Sequence, residues 1–387
     1  MQRPPRNWPL DLTRVGLLAG AVFLHAVIGV SLAATWGTDE FARRDWSAFR
    51  DAGHAAATGE VQGMYDARPG GFPYLHPPWV AALLAPVGDL DDGAFYGVMV
   101  ALQLLGLAMV VLALRHLEPD HTEKDLVLLG VLASAPWAIG LVLGQPSALV
   151  LGAWLLAYWA VDRKEPFVAG LLFGLCVIKP PYVVAPIIYS LLSRRYRVLA
   201  GIAASLGVLL ALSLSVGQWT EWVAAVSRTL GNVSTGDVAL WKQQTFLAFL
   251  RGVMPRTAAL LIWGLACVVS AWLFYRVRHS RMPMLRVAGW LALGTIALSP
   301  FAYFYDALIL TLPAAALWLR WDTYPARFRP ILVGLSVGTF VLQHIGFFVL
   351  QQGTPLTGLL VLAWLVVEFT AISKERLEAG RPARSAA

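Results

Sequence analysis

Charge is what this chain of 387 residues has least of: 14% of it is Asp, Glu, Lys or Arg, while 58% is hydrophobic. Soluble domains carry roughly 25% charged residues, so a solvated globular surface along the whole chain is excluded. Cysteine is almost missing. Cys176 and Cys267 both fall inside apolar runs and read as small buried hydrophobes, with no disulfide or metal role. Histidine is sparse, and no second His or Cys stands at metal-ligand spacing from His76, so no metal is assigned. No nucleotide-binding motif occurs, and no cofactor is called for. The net charge of +7 comes from short basic clusters between apolar segments. They form no patch, so nucleic acid is not an expected partner.

What is present is a succession of apolar windows. They read as about 12 membrane segments, near 14–34, 95–114, 125–143, 147–161, 166–179, 181–193, 198–216, 257–275, 285–299, 306–319, 331–350 and 356–373. The expected fold class is an all-α polytopic membrane protein. Residues 1–373 form a single transmembrane domain, and 374–387 a polar tail. The first apolar stretch imitates a secretory signal ending at Ala33, but it is long for one and many spans follow. An uncleaved first helix is expected.

Lysine and arginine set the orientation. With the N-terminus in the cytoplasm, most of the 30 basic residues fall inside, including Arg163–Lys164, Arg194–Arg195 and the basic tail. Both termini are then cytoplasmic. Two long polar stretches, 35–94 and 217–256, lie outside the membrane. The first is amphipathic and aromatic, which suits helices lying along the membrane surface.

Five stretches carry candidate chemistry. Asp45 opens DWSAFRDAGHAAATGE just after the first membrane helix. It can cap that helix or take a proton from a hydroxyl brought to the surface. In MYDARPGGFPYLHPPW, Gly70–Gly71, Pro73 and Pro77–Pro78 impose a rigid turn, and Tyr74 and His76 offer flat faces to a sugar ring or to an interfacial belt. In FGLCVIKPPYVVAPIIY, Lys179 sits mid-run, where an unrelieved charge costs about 2.5–3.5 kcal/mol. Basic DRKEP and SRRYR flank this run, so it reads as two short helices meeting at Lys179–Pro180–Pro181. A similar tip falls at Gln145–Pro146. Lys179 either snorkels to the interface or stands as a fixed cation for a phosphate. In SPFAYFYDALIL, Asp306 follows Tyr305 and can orient a site, pair with a cation or cap a helix. In ALWKQQTFLAFLRG, Lys242, Gln243 and Gln244 precede an aromatic amphipathic segment that contains Arg251 and can close a cavity from outside.

Together these stretches resemble glycosyltransferase family 87, in their order and over most of the chain. The resemblance rests on DWSAFRDAGHAAATGE, MYD, YLHPPWVAALLAPVGDL, GLVLGQPSALVLGAWLLA, AGLLFGLCVIKPP with SRRYR, KQQTFLAFLRG and SPFAYFYDALIL. It implies the GT-C fold in an integral plasma (inner) membrane protein and a polyprenyl-phosphate sugar as donor. The best-known members resemble mannosyltransferases. The acceptor would be a glycolipid or glycan on the outer face. An acidic residue in the first outer loop is the usual GT-C base, a position matched here by Asp45. Donor phosphate would meet Lys179, Lys242 and Arg251. Tyr74, His76, Gln145, Gln244, Tyr305 and Asp306 would orient sugar or acceptor. His76 departs from commoner YxPP forms, and the chain lacks the histidines that some members carry near Phe304–Tyr305. The competing functions are a transporter or lipid flippase, and a non-catalytic scaffold of envelope synthesis.

Overall fold

The computed structural model describes residues 10–66, 74–117, 124–235, 240–278, 282–346 and 355–379. The turn expected at Gly70–Gly71 and Pro73, and most of the C-terminal tail, lie outside the described residues. The described chain is helical, with one isolated bridge between Gln243 and Tyr303.

Among the described residues, eighteen α-helices follow in order. The first five are α1 (Leu10–Thr35), α2 (Asp39–Ala42), α3 (Asp45–Thr58), α4 (Pro78–Leu84) and α5 (Asp92–Leu117). Next come α6 (Lys124–Leu132), α7 (Ala135–Leu143), α8 (Ser147–Asp162), α9 (Pro166–Leu175), α10 (Pro181–Leu192) and α11 (Tyr196–Ser213). The remainder are α12 (Trp219–Thr235), α13 (Phe246–Val253), α14 (Arg256–Val277), α15 (Met284–Leu298), α16 (Thr311–Leu319), α17 (Arg329–Ile345) and α18 (Leu356–Ala379). Among the described residues, six are long and apolar enough to cross a bilayer: α1, α5, α11, α14, α17 with the residues just before it, and α18. Every other apolar segment read from the sequence is also helical, but shorter or broken. This is an integral membrane protein of several spans.

The breaks have local causes. The segment expected as one span over 125–143 is two helices, α6 and α7, bent by 52°. Ser134 caps α7 by accepting from Trp137 N, and Pro136 in the first turn cannot donate back to α6. At the second break Lys179 is extended (φ −127°, ψ 92°), as a residue before proline prefers, and Pro181 opens α10. The turns after α8 and α10 share one geometry. Glu165 N donates to Ala160 O at 2.9 Å, and Arg195 N to Ser190 O at 2.8 Å. Lys164 and Arg194 take the left-handed position usually held by glycine. That costs each about 1–2 kcal/mol, partly offset by a cation beside the helix C-terminus.

Small residues let the short helices pack closely. A Cβ on Gly170 of α9 would stand 2.1 Å from Val198 O, and one on Gly201 of α11 2.2 Å from Phe167 O. Such contact replaces the hydrophobic drive that lipid does not supply. In the second half, buried Arg286 of α15 lies over the Tyr324 ring at 4.0 Å and faces Glu368 of α18 at 3.5 Å.

Candidate active site

The site is built where the α7–α8 turn meets the start of α3. Gly144 ends α7 with φ +68°, and a Cβ there would lie 2.6 Å from Trp46 Cβ. Only glycine allows both this backbone and this approach. The turn closes with Gln145 N donating to Gly140 O at 2.8 Å. The Gln145 side chain then faces α3, and its Nε2 donates to Asp45 Oδ2 at 2.7 Å. Asp45 lies in the first turn of α3. Arg44 is the N-cap residue, and no side chain caps this helix. The carboxylate is therefore not spent as a cap.

Pro146 precedes α8 and brings no side-chain acceptor, so the cap comes from another helix. Gln103 of α5 accepts from Ala148 N at 2.8 Å. This leaves Ser147 Oγ free to accept from Lys179 Nζ at 3.3 Å. Lys179 does not snorkel. It is 7% exposed, its Nζ lies 2.5 Å from Asp306 Oδ1, and the Tyr305 ring centroid is 4.3 Å away. Asp306 does two of the three jobs open to it. Its Oδ1 pairs with Lys179, and its Oδ2 accepts from Tyr303 N at 2.9 Å in a capping box. Tyr182 OH donates to Asp306 O at 2.5 Å. The charge is thus matched by a carboxylate, a hydroxyl and an aromatic face.

Asp45 and this network share one electrostatic neighbourhood. Part of Asp45 still reaches solvent, but crowding strips most of its hydration and raises its pKa to about 6. The Gln145 hydrogen bond and the charges of Lys179 and Lys242 oppose that rise, and Asp306 adds to it. Lys242, in the short turn Leu240–Lys242, is exposed and acts on Asp45 electrostatically. Gln243 joins the turn to the strand-like Ala302–Tyr303 segment by accepting from Ala302 N at 3.2 Å. Asp45 and Asp306 both bear on Tyr303.

Other expected residues lie differently. His76 Nδ1 must carry the proton, since it faces Ile178 O at 2.9 Å. Burial and the Lys179 charge lower its pKa to about 4, so the ring is neutral. His76 thereby fastens the first loop to the residue before Lys179. Tyr74 is buried among Phe49, Tyr65 and His76, and its hydroxyl donates to Pro77 O at 3.3 Å. Among the described residues these contacts keep it within the first loop, away from Asp45. Gln244 is buried and donates to Gln243 O at 3.2 Å. Arg251 is in the last turn of α13 with Arg256 as charged neighbour. Ser147, Tyr182, Tyr303, Arg44 and Gln103 were not singled out from the sequence. Gln103 carried a usable signal, as a glutamine in the middle of an apolar span.

Among the described residues, no three or more His, Cys, Asp or Glu side chains group as metal ligands. What the site offers is a carboxylate ionisable near neutrality, a buried lysine–aspartate pair, an exposed lysine and several side-chain amides.

The model of Glycosyltransferase family 87 matches residues 74–300, more than half of the chain. That stretch contains Gln145, Lys179 and Lys242, while Asp45 and Asp306 lie outside it and join the site through the fold. No curated protein and no solved structure matches. The chain belongs to glycosyltransferase family 87 and is a membrane glycosyltransferase.

Proposed function

We propose that this membrane glycosyltransferase moves a hexosyl group, mannose being the first candidate, from a polyprenyl-phosphate sugar to an envelope glycolipid or glycan. The chemistry takes place on the extracytoplasmic face of the plasma membrane. Asp45 accepts the proton of the acceptor hydroxyl as its oxygen bonds to the anomeric carbon. The bond from that carbon to the phosphate oxygen breaks, and its electron pair leaves on the polyprenyl phosphate. A single displacement inverts the anomeric centre. No cofactor enters the reaction, and the lipid-linked sugar is itself the substrate.

The observation that carries the reading is the convergence on Asp45 of Gln145, Lys179, Lys242 and Asp306, from four separate parts of the chain. A pKa near 6 suits a general base working at neutral pH. The charge developing on the leaving phosphate needs a nearby cation in a partly dry site. Lys242 is the first choice, being exposed and within electrostatic reach of Asp45. Lys179 acts as one half of its pair with Asp306, and Arg251 stands further along the same segment. Tyr305, Gln145, Gln244 and Asp306 line the sugar and acceptor side. His76 and Tyr74 support it from the first loop.

The test uses the full chain reconstituted in liposomes with radiolabelled polyprenyl-phosphate-mannose and a cell-envelope lipid extract. Nucleotide-activated mannose is the parallel donor. A labelled glycolipid formed from the lipid-linked donor alone is expected. Movement of the donor across the bilayer without sugar transfer would favour a flippase and overturn the proposal.

A further inference from the structure

Three consecutive residues at the start of α3 dock on one turn. The Arg44 guanidinium grips the end of α7, donating from Nη1 to Val142 O at 3.4 Å, and ties it to α1 through Thr35 Oγ1 at 2.6 Å. Asp45 Oδ2 accepts from Gln145 Nε2 at 2.7 Å. Trp46 closes over Gly144, where a Cβ would stand 2.6 Å from its own Cβ. Arg44 is 7% exposed, and no carboxylate lies within ion-pair distance of it among the described residues. Glu40 acts on it only electrostatically, and its hydrogen bonds go to the end of α7 and to Thr35, so its use here is mechanical. It satisfies a helix C-terminal carbonyl, where a cation is favoured. The carboxamide of Gln145 is oriented by the carboxylate it serves: Nε2 faces Asp45, and Oε1 is buried without a partner among the described residues.

We infer that Arg44, Gly144 and Gln145 form a clamp that holds the Asp45 carboxylate by Oδ2 and leaves Oδ1 as the atom that takes the acceptor's proton. Arg44 and Gln145 are positioning residues. The inference rests on Asp45 being the base, as proposed above. A carboxylate fixed through one oxygen loses its rotation about the Cβ–Cγ bond, so the free oxygen keeps one direction. The same hydrogen bond favours the ionised form and opposes the effect of burial. Other groups acting on Asp45 are Lys179 after α9, Lys242 before α13, and Asp306, with Tyr303 and Tyr305 beside it. Arg44 turns away to Thr35 and Val142, and Arg50 of α3 pairs with Asp51 and Asp92. None of these replaces the Gln145 donor at Oδ2.

The experiment reads the titration of Asp45 without any substrate. In the full chain in detergent micelles, the infrared band of the protonated Asp45 carboxyl is identified by its loss in Asp45→Asn and followed with pH. Wild type should be half-protonated near pH 6. Gln145→Met keeps the length and loses the donor, and should raise that midpoint by about one to two pH units. Gln145→Glu, the second variant should the first not fold, should raise it as well, because two acids then share a proton. Arg44→Met should raise the midpoint by less, and Arg44→Lys should restore part of the shift. A midpoint in Gln145→Met or Gln145→Glu that is unchanged or lowered would overturn the clamp. So would an Asp45 band that does not titrate near pH 6 in wild type. Full sugar transfer by Asp45→Asn would remove the base assignment, and with it the role given to Oδ1. It would leave the titration, and the hold on Oδ2, standing.

Discussion

Removing the charge of Asp306 while keeping its shape should destabilise the protein, and removing its partner as well should restore most of the loss. Asp306→Asn retains an oxygen for Tyr303 N and so preserves the cap. It leaves the Lys179 ammonium buried, with Ser147 Oγ and the Tyr305 ring as its other neighbours. Two unit charges attract by about 4 kcal/mol at 4 Å in an effective dielectric near 20, and this pair is closer, at 2.5 Å. Loss of one member of a buried pair typically costs about 3–5 kcal/mol, whereas loss of both is often close to neutral. Lys179→Met should cost a similar amount, since Asp306 is then the buried orphan. The double variant should lie within about 2 kcal/mol of wild type, a coupling well above that of independent sites. The assay is thermal unfolding in detergent, followed by tryptophan fluorescence for the four proteins of the cycle. Each single variant should lose several degrees of Tm, and the double should regain most of them. Single losses that simply add in the double would refute the account of Lys179 as a charge neutralised by Asp306.

Three further outcomes follow from the site around Asp45. With the Asp45 pKa at about 6, the base is ionised above that pH, so transfer should fall about tenfold per pH unit below it; a rate flat from pH 7 to 5 would contradict this. The effect on stability has the opposite sense. Between its ordinary value of 3.8 and about 6 the folded state holds the Asp45 proton more tightly than the unfolded state, so this group's contribution to stability falls as pH rises through that window. Gly144→Ala should cost about 2–5 kcal/mol, from the left-handed backbone and the contact with Trp46 together. A change below about 1 kcal/mol in detergent unfolding would mean that the turn is not held as described.

The sequence made the helices legible because hydrocarbon demands continuous apolar length. Every apolar segment read from it reappears as helix, and the break at Lys179 was marked by two prolines. The bend before α7 was not read, although Ser134 two residues ahead of Pro136 is a helix-start signal buried in an apolar run. Asp45, Lys179 and Asp306 stood out as charges at membrane boundaries. Which of them pair did not, because the contacts of Lys179 with Asp306 and of Asp45 with Gln145 link positions more than 90 residues apart. The packing of Tyr74 was unreadable for a related reason. Its aromatic face looked available, but its ring is packed inside the loop and its hydroxyl is spent on Pro77 O.

The most direct measurement of the central claim is the rate of sugar transfer by Asp45→Asn in proteoliposomes, beside wild type with the same unfolding temperature. Asparagine keeps an acceptor for Gln145 Nε2 and loses the capacity to take a proton. A positioned general base typically contributes about 10²–10⁴-fold, and a loss of that size with the donor KM unchanged is the expected result. A variant that transfers sugar within a few-fold of wild type would place the proton elsewhere and contradict the assignment of Asp45.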